Sequence, residues 1–287
     1  MTTKALVLGG GGVTGIAWEL GVIAALADGG LDLTDADLIV GTSAGAAVAA
    51  QITTGGLDQL VAAQLAVDSK ELAAELDFDL LAKIFTLLSD RSRPDDERRA
   101  QVGAMALGAH TVAEPVRRAV IAARLPSHQW PARPLMLTAV DAHSGEFTTF
   151  DPSSGVPLVD AVAASCAVPG VWPPVTIGGR RYIDGGVRST TNADRASGYD
   201  RVLVLTPMTT TMTMGLHSEV ESLLDTGSTV QVVAADDEAL ARIGDNPLDP
   251  SRRGPALEEG RRQGRAAVAD VRMVWHGDDV PPAGDGR

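Results

Sequence analysis

Leu38-Ile39-Val40-Gly41-Thr42-Ser43-Ala44-Gly45 joins a short apolar run to a Gly-x-Ser-x-Gly turn. The order strand, tight turn, serine, helix sets a hydroxyl on a sharp bend, where small neighbours let substrate and backbone approach closely. The helix that follows aims its free N–H groups at charge forming on that oxygen. Ser43 is therefore a candidate nucleophile. The plainer alternative is a serine in a glycine turn at a helix N-terminus, because a pentapeptide of this kind counts only in its structural context.

Upstream, Ala5 to Leu8 is continuously apolar, as a strand buried on both faces is, and Gly9 to Gly12 end it. Gly15 to Ala27 carry Ile16, Leu20, Ile23 and Leu26 near helical spacing. Leu38 to Val40 make a second buried strand, and Ala44 to Thr53 a small-residue helix. This β-α-β-α opening predicts an α/β chain with three α/β/α layers and a mainly parallel central sheet. From Leu57 to Leu125 only helices are expected, over 57–67, 71–88 and 97–125, as an insertion forming a cap or cleft wall. Later strands fall at 135–140, 146–150 and 202–205, a hairpin at 175–183, and a further strand at 230–234. Helices are expected at 158–165, 236–243 and 255–271. One domain over residues 1–273 is expected, followed by a disordered tail over 274–287.

Composition narrows the function. The chain has 287 residues, 45% hydrophobic and 21% charged, which is globular composition. No apolar run approaches the roughly 20 residues of a membrane helix, and the N-terminus lacks a secretory apolar region. One cysteine excludes an internal disulfide and agrees with a cytoplasmic location. A net charge of −13 speaks against nucleic acid. The basic groups Arg91/Arg93/Arg98/Arg99 and Arg252/Arg253/Arg261/Arg262/Arg265 are interleaved with acids or lie on an expected solvated helix. Aromatics at 3% give neither a base-stacking platform nor a strong interfacial anchor.

Three glycine-bearing sites end predicted strands, where open α/β sheets bind ligands. They are Gly9-Gly10-Gly11-Gly12-Val13-Thr14-Gly15, the Ser43 turn, and Asp184-Gly185-Gly186. Gly10, Gly12 and Gly15 satisfy the dinucleotide fingerprint, which would make the chain a nucleotide-binding oxidoreductase. That reading wants an acidic residue ending the second strand, and a serine turn stands there instead. Alternatively, the Gly11 and Gly12 N–H groups form an oxyanion hole with Ala44 as third donor. A histidine base in Ser-Asp-His order would be His217 or His276, neither at a strand end. No metal-ligand spacing is present, and no cofactor is expected.

The loop Gly10 to Gly15, the turn Gly41 to Gly45 and Asp184-Gly185-Gly186, in that order, resemble the patatin-like phospholipases. The stretch Ala164 to Val175 resembles the one those proteins carry before their Asp-Gly-Gly, and the likeness spans roughly Lys4 to Leu205. The resemblance implies a Ser-Asp dyad, Ser43 as nucleophile and Asp184 as base. It implies Gly10, Gly11 and Gly12 at the oxyanion hole, with Gly15, Gly41, Gly45, Gly185 and Gly186 as structural glycines. The expected substrate is a lipid or small ester, with transient membrane-surface contact. Thr14 stands where the family usually has a basic residue. A non-catalytic lipid-binding module would keep the pocket without chemistry, and an alcohol replacing water would turn hydrolysis into acyl transfer. Met208, Met212 and Met214 are candidates for a lipid-facing rim, and Cys166 for a small buried hydrophobe.

Overall fold

Residues 4–8 are extended and apolar enough to be paired on both edges, and they form the middle of the sheet. The structure, a computed structural model, describes residues 2–66, 71–74, 76–210 and 213–277. In chain order, β1 (Lys4–Leu8), α1 (Gly12–Asp28), β2 (Leu38–Gly41) and α2 (Ala44–Thr54) make the β-α-β-α opening. The helical insertion follows as α3 (Leu57–Leu65), α4 (Phe78–Ser89), α5 (Asp95–Gly108) and α6 (Glu114–Arg124). Then come β3 (Leu135–Asp141), β4 (Phe147–Phe150), α7 (Leu158–Ser165), β5 (Val175–Ile177) and β6 (Arg180–Asp184). The chain finishes with β7 (Arg201–Thr206), α8 (Leu216–Asp225), β8 (Thr229–Ala234), α9 (Asp237–Ile243) and α10 (Arg253–His276).

The strands form one sheet in the order β5-β6-β3-β2-β1-β7-β8, with β4 on the other edge of β3. β3, β2, β1, β7 and β8 run parallel, and β4, β5 and β6 join antiparallel. Alternate residues of β1 feed opposite layers, as the pleat requires. Leu6 and Leu8 pack with α1, α2 and α10, while Ala5 and Val7 pack with Leu216 and Leu223 of α8. Within the insertion, Ile84, Val102 and Ala106 of α4 and α5 cover Val140 and Ile183 at the antiparallel end. The expected three-layer, mainly parallel architecture is the one observed, and no described helix is long and apolar enough to cross a membrane.

Several boundaries differ from the sequence reading. α1 starts at Gly12, not Gly15. The expected helix over 71–88 begins at Phe78, because the Asp77 side chain accepts from Leu80 N–H and caps the helix there. The expected helix over 97–125 is two helices, α5 and α6. Pro115 opens α6, and its ring biases the preceding residues toward extended backbone. α10 runs past residue 271 through His276, because the indole of Trp275 is fully buried and donates to Asp35 Oδ1 at 2.9 Å. Residues 274–276 are thus helical where a tail was expected, and residues 278–287 lie outside the described residues.

α1 and α10 meet along a seam of glycines. A methyl group on Gly260 would stand 2.1 Å from the Trp18 carbonyl oxygen, and one on Gly21 would stand 2.2 Å from that of Leu257. Only bare backbone allows this approach. On the same helix, Glu19 is fully buried with neither carboxylate oxygen bonded. Burial drives its pKa well above the ordinary value, opposed only partly by the Gly9 amide. The folded state therefore holds a proton that the unfolded chain releases above about pH 4.3. Stability is lost as pH rises toward the folded pKa. Glu19→Gln removes this term, so the variant should gain stability relative to the native protein as pH rises above the ordinary carboxylate range. Urea denaturation of both proteins at pH 5 and at pH 7 measures it, and an equal pH dependence of the two would refute the buried proton.

Candidate active site

β2 ends at Gly41, and the next two residues turn the chain straight into α2. Thr42 N–H donates to Leu8 O at 3.0 Å, and Ser43 N–H donates to Ser165 Oγ at 2.9 Å. Between these anchors Ser43 adopts φ 55° and ψ −114°. A side chain at such a φ costs about 1–3 kcal/mol and persists only where the surroundings enforce it. Ser43 is 8% exposed. Its carbonyl accepts from Ala46 and Ala47 N–H and from the Cys166 thiol at 3.1 Å. Burial pushes that thiol up to about 12, so Cys166 is an inert packing group, as expected.

The glycine loop lies beside this turn. Gly10 N–H donates to Thr190 O at 2.8 Å, which removes it from the donors available to an oxyanion and corrects the expectation for Gly10. Gly11 and Gly12 N–H, at the open start of α1, and Ala44 N–H, at the start of α2, have no protein acceptor among the described residues. Gly12 has φ 66°, and a methyl group there would stand 2.5 Å from Pro247 O. Gly15 lies in the first turn of α1 against Pro207, and Gly45 packs onto Leu8. Thr14 is buried, and both its N–H and its hydroxyl donate to Pro247 O at 3.1 Å.

Strand register explains how Asp184 reaches Ser43. One edge of β3 is shared end to end: Gly41 of β2 sits opposite Leu137, and Asp184 of β6 sits opposite Ala139. Two residues along a strand is about 7 Å, so β6 arrives in the place that β2 vacates when it turns at Ser43. Gly185 and Gly186 form a 3-10 turn, and Gly186 N–H donates to Asp184 Oδ1 at 2.7 Å. Oδ2 is buried without a donor in hydrogen-bond geometry. Burial lifts the Asp184 pKa to about 7, against the downward pull of the Ser43 side chain and the Gly186 amide. The Ser43 hydroxyl is thus a close neighbour of the Asp184 carboxyl. A carboxylate held near neutrality beside a hydroxyl is suited to take its proton.

Two cavities meet at Ser43. The larger, about 400 Å³, is lined by Gly11, Gly12, Ser43 and Asp184 and continues along Leu81, Ile84, Phe85 and Leu88 of α4. The insertion therefore supplies one cleft wall. Met208 and Met214 also line it, and Met212 lies outside the described residues. The smaller cleft, about 20 Å³, lies between Ser43, Ala44, Arg117, Arg124, Cys166 and Trp172.

Asn192 escaped the sequence reading. In a left-handed conformation at φ 52°, its amide donates to Thr42 Oγ1 at 3.1 Å, Gly185 O at 3.3 Å and Ser189 O at 2.7 Å. It ties the serine turn to the Asp-Gly-Gly turn from below. Thr42 and Thr138 hydroxyls, 2.9 Å apart, complete the network. Its only local mark in the sequence is the uncharged polar run Ser189-Thr190-Thr191-Asn192. His217 has a 90% exposed side chain near Glu221, and neither it nor His276 lines a cavity at Ser43. Arg253, expected on a solvated face, is instead buried and donates to Ala63 O and Ala66 O. Among the described residues no His, Cys, Asp and Glu group is arranged to hold a metal ion.

Comparison with known proteins agrees with this architecture. The patatin-like phospholipase family profile matches residues 6–197, two-thirds of the chain. No curated protein sequence matches. Among solved structures, VipD from Legionella pneumophila aligns at 14% identity and a TM-score of 0.47, over 94% of this chain and 67% of its own. The type III effector protein ExoU aligns at 15% identity and a TM-score of 0.45, over 95% of this chain. The chain spans about half the length of ExoU, 54%. On the family match, which takes in the glycine loop, the serine turn and the Asp-Gly-Gly turn, the chain belongs to the patatin-like phospholipase family.

Proposed function

We propose that the protein hydrolyses carboxylic esters of lipids, with Ser43 as nucleophile, Asp184 as general base, and Gly11, Gly12 and Ala44 N–H as oxyanion donors. Membership of a phospholipase family supports lipid-ester hydrolysis in general. The observation that carries the residue assignment is the buried, unpartnered Oδ2 of Asp184 beside Ser43 at the mouth of an apolar cavity. Ser43 Oγ attacks the ester carbon while its proton passes to Asp184. The carbonyl electrons move onto oxygen, where the free amides stabilise them, each typically by about 3–4 kcal/mol. Collapse expels the alcohol, which takes the proton from Asp184 and leaves an acyl-Ser43. Water, deprotonated by Asp184, then adds to the acyl carbon. The acid departs, and the proton returns to Ser43. The α4 wall suits an acyl chain, and Phe85 on that wall is 66% exposed, an apolar contact for a lipid surface.

A fluorophosphonate probe tests the reading. One phosphonyl group is expected per chain, on the peptide bearing Ser43, and none on Ser43→Ala. Labelling that persists in the variant sinks the assignment of Ser43 in favour of another nucleophile, and the absence of labelling in the native protein leaves a binding module.

A further inference from the structure

Two helix starts and one guanidinium converge on the small cleft beside Ser43. Gly12 opens α1 and Ala44 opens α2, and both line the cleft together with Ser43 and Arg117. Each helix start brings partial positive charge and an amide with no protein acceptor among the described residues. Arg117, on α6, is 5% exposed, and its Nε and Nη1 have no protein acceptor among the described residues. Its guanidinium lies over the Trp172 ring, 3.7 Å from the centroid, which fixes the group in place. The neighbouring Arg124 is committed: its Nε and Nη2 bond both oxygens of Glu71, at 2.8 and 2.5 Å. Burial and the charge of Arg124 pull the Arg117 pKa down to about 10, which leaves Arg117 protonated at neutral pH.

The cleft, about 20 Å³, has room for about one water-sized group. A head group does not fit there, and a single oxygen atom does. Charge is divided between the two sides of Ser43: Asp184 lines only the larger cavity, and Arg117 and Ala44 line only the cleft. Burial lifts the Asp184 pKa to about 7, and only the Ser43 side chain and the Gly186 amide oppose it. A guanidinium beside that carboxyl would hold it ionised to lower pH and weaken it as a base. The glycine loop supplies no charge of its own. Thr14, standing where the family usually has a basic residue, donates to Pro247 O through both its N–H and its hydroxyl.

We propose that Arg117 is a catalytic residue of the oxyanion hole, whose unused N–H groups donate to the substrate carbonyl oxygen as it becomes charged in the cleft, alongside Gly12 and Ala44 N–H. This rests on the reading of Ser43 as nucleophile. When Ser43 Oγ bonds to the acyl carbon, its proton passes to Asp184 and the carbonyl π pair moves onto oxygen. The Arg117 protons stay on nitrogen throughout, and the pair re-forms the carbonyl when the alcohol leaves with the proton from Asp184. A charged donor in a site shut off from water holds that oxygen more strongly than a neutral amide does. An alkyl trifluoromethyl ketone tests the proposal, because Ser43 Oγ adds to its carbonyl carbon and gives a hemiketal whose hydroxyl ionises in the cleft. Fluorine NMR reads the pH of that ionisation. In Arg117→Met it is expected at least about one pH unit above the native value, a tenfold loss of preference for the anion. For a short p-nitrophenyl ester, kcat is expected to fall about 10²-fold in the same variant, with KM within about twofold. Arg117→Lys keeps the charge and loses the fork, so both readouts should fall between the two; it replaces the methionine variant if that one does not fold. An unchanged ionisation pH in the folded Arg117 variants, or a rise in KM at constant kcat, overturns the proposal and leaves Ser43 as nucleophile. A native protein that forms no adduct, or an adduct that persists in Ser43→Ala, overturns the Ser43 reading and the role of Arg117 with it.

Discussion

Asp184→Asn is expected to lower kcat/KM for a short p-nitrophenyl ester at pH 8 by about 10³-fold, within the range set by loss of a general base. Asn keeps the shape of the side chain and its acceptance from Gly186 N–H but has no basic oxygen for the Ser43 proton. The native profile carries the same signature. A carboxyl lifted to about 7 is charged, and active as a base, only above that pH. kcat/KM should rise tenfold per unit at low pH and level off above about 7, and the residual activity of Asp184→Asn should lose this dependence. Stability moves the opposite way. A carboxyl whose folded pKa exceeds its unfolded value favours the fold at low pH, and that contribution is lost as pH rises through about 7. Asp184→Asn should therefore melt above the native protein at pH 8 and close to it at pH 4. A variant that keeps the native pH profile removes Asp184 from the mechanism.

Ser43→Ala and Ser43→Gly separate chemistry from strain at one position. Both remove the nucleophile and should cost at least about 10⁴ in kcat, with a remainder over water from the amide donors and substrate binding. Their stabilities should differ. Alanine keeps a Cβ at φ 55° and with it the native strain. Glycine takes that conformation freely, losing about 0.5–1 kcal/mol to greater unfolded-state freedom against 1–3 kcal/mol of relief. A net gain near 1 kcal/mol corresponds to a melting temperature about 2–4 °C higher for a chain of this size. Thermal denaturation at neutral pH should therefore rank glycine above both alanine and serine. Equal melting temperatures would mean that the turn stores no strain.

The parts of the fold that were legible in the sequence are those where one residue type has one physical use. Ala5–Leu8 and Leu38–Val40 are apolar without alternation because parallel neighbours bury both faces, and glycines mark where each ends. The serine turn and Asp184 were legible for the same reason, since each stands where a buried strand stops. What stayed hidden depends on partners far along the chain. Nothing local says that Gly10 N–H is taken by Thr190 O, that the Asn192 amide braces Thr42, or that Arg117 lies on Trp172. Helix ends failed where a side chain decided them, as Asp77 does for α4, or where distant packing did, as Asp35 does for Trp275.

The glycine seam between α1 and α10 also sets a time order on the living chain. A nascent polypeptide that has emerged through residue 197 already carries the glycine loop, Ser43 and Asp184. It still lacks Leu205 O, which receives Gly9 N–H, and Pro207, which rests against Gly11. It lacks Pro247 O, which holds Thr14, and the whole of α10, which backs the helix behind the loop. The donors that would hold an oxyanion therefore acquire their rigid frame only once the chain has been made through α10. On the proposed mechanism, a chain cut short before α10 should carry Ser43 and Asp184 without the frame that positions the oxyanion donors, and so be inactive.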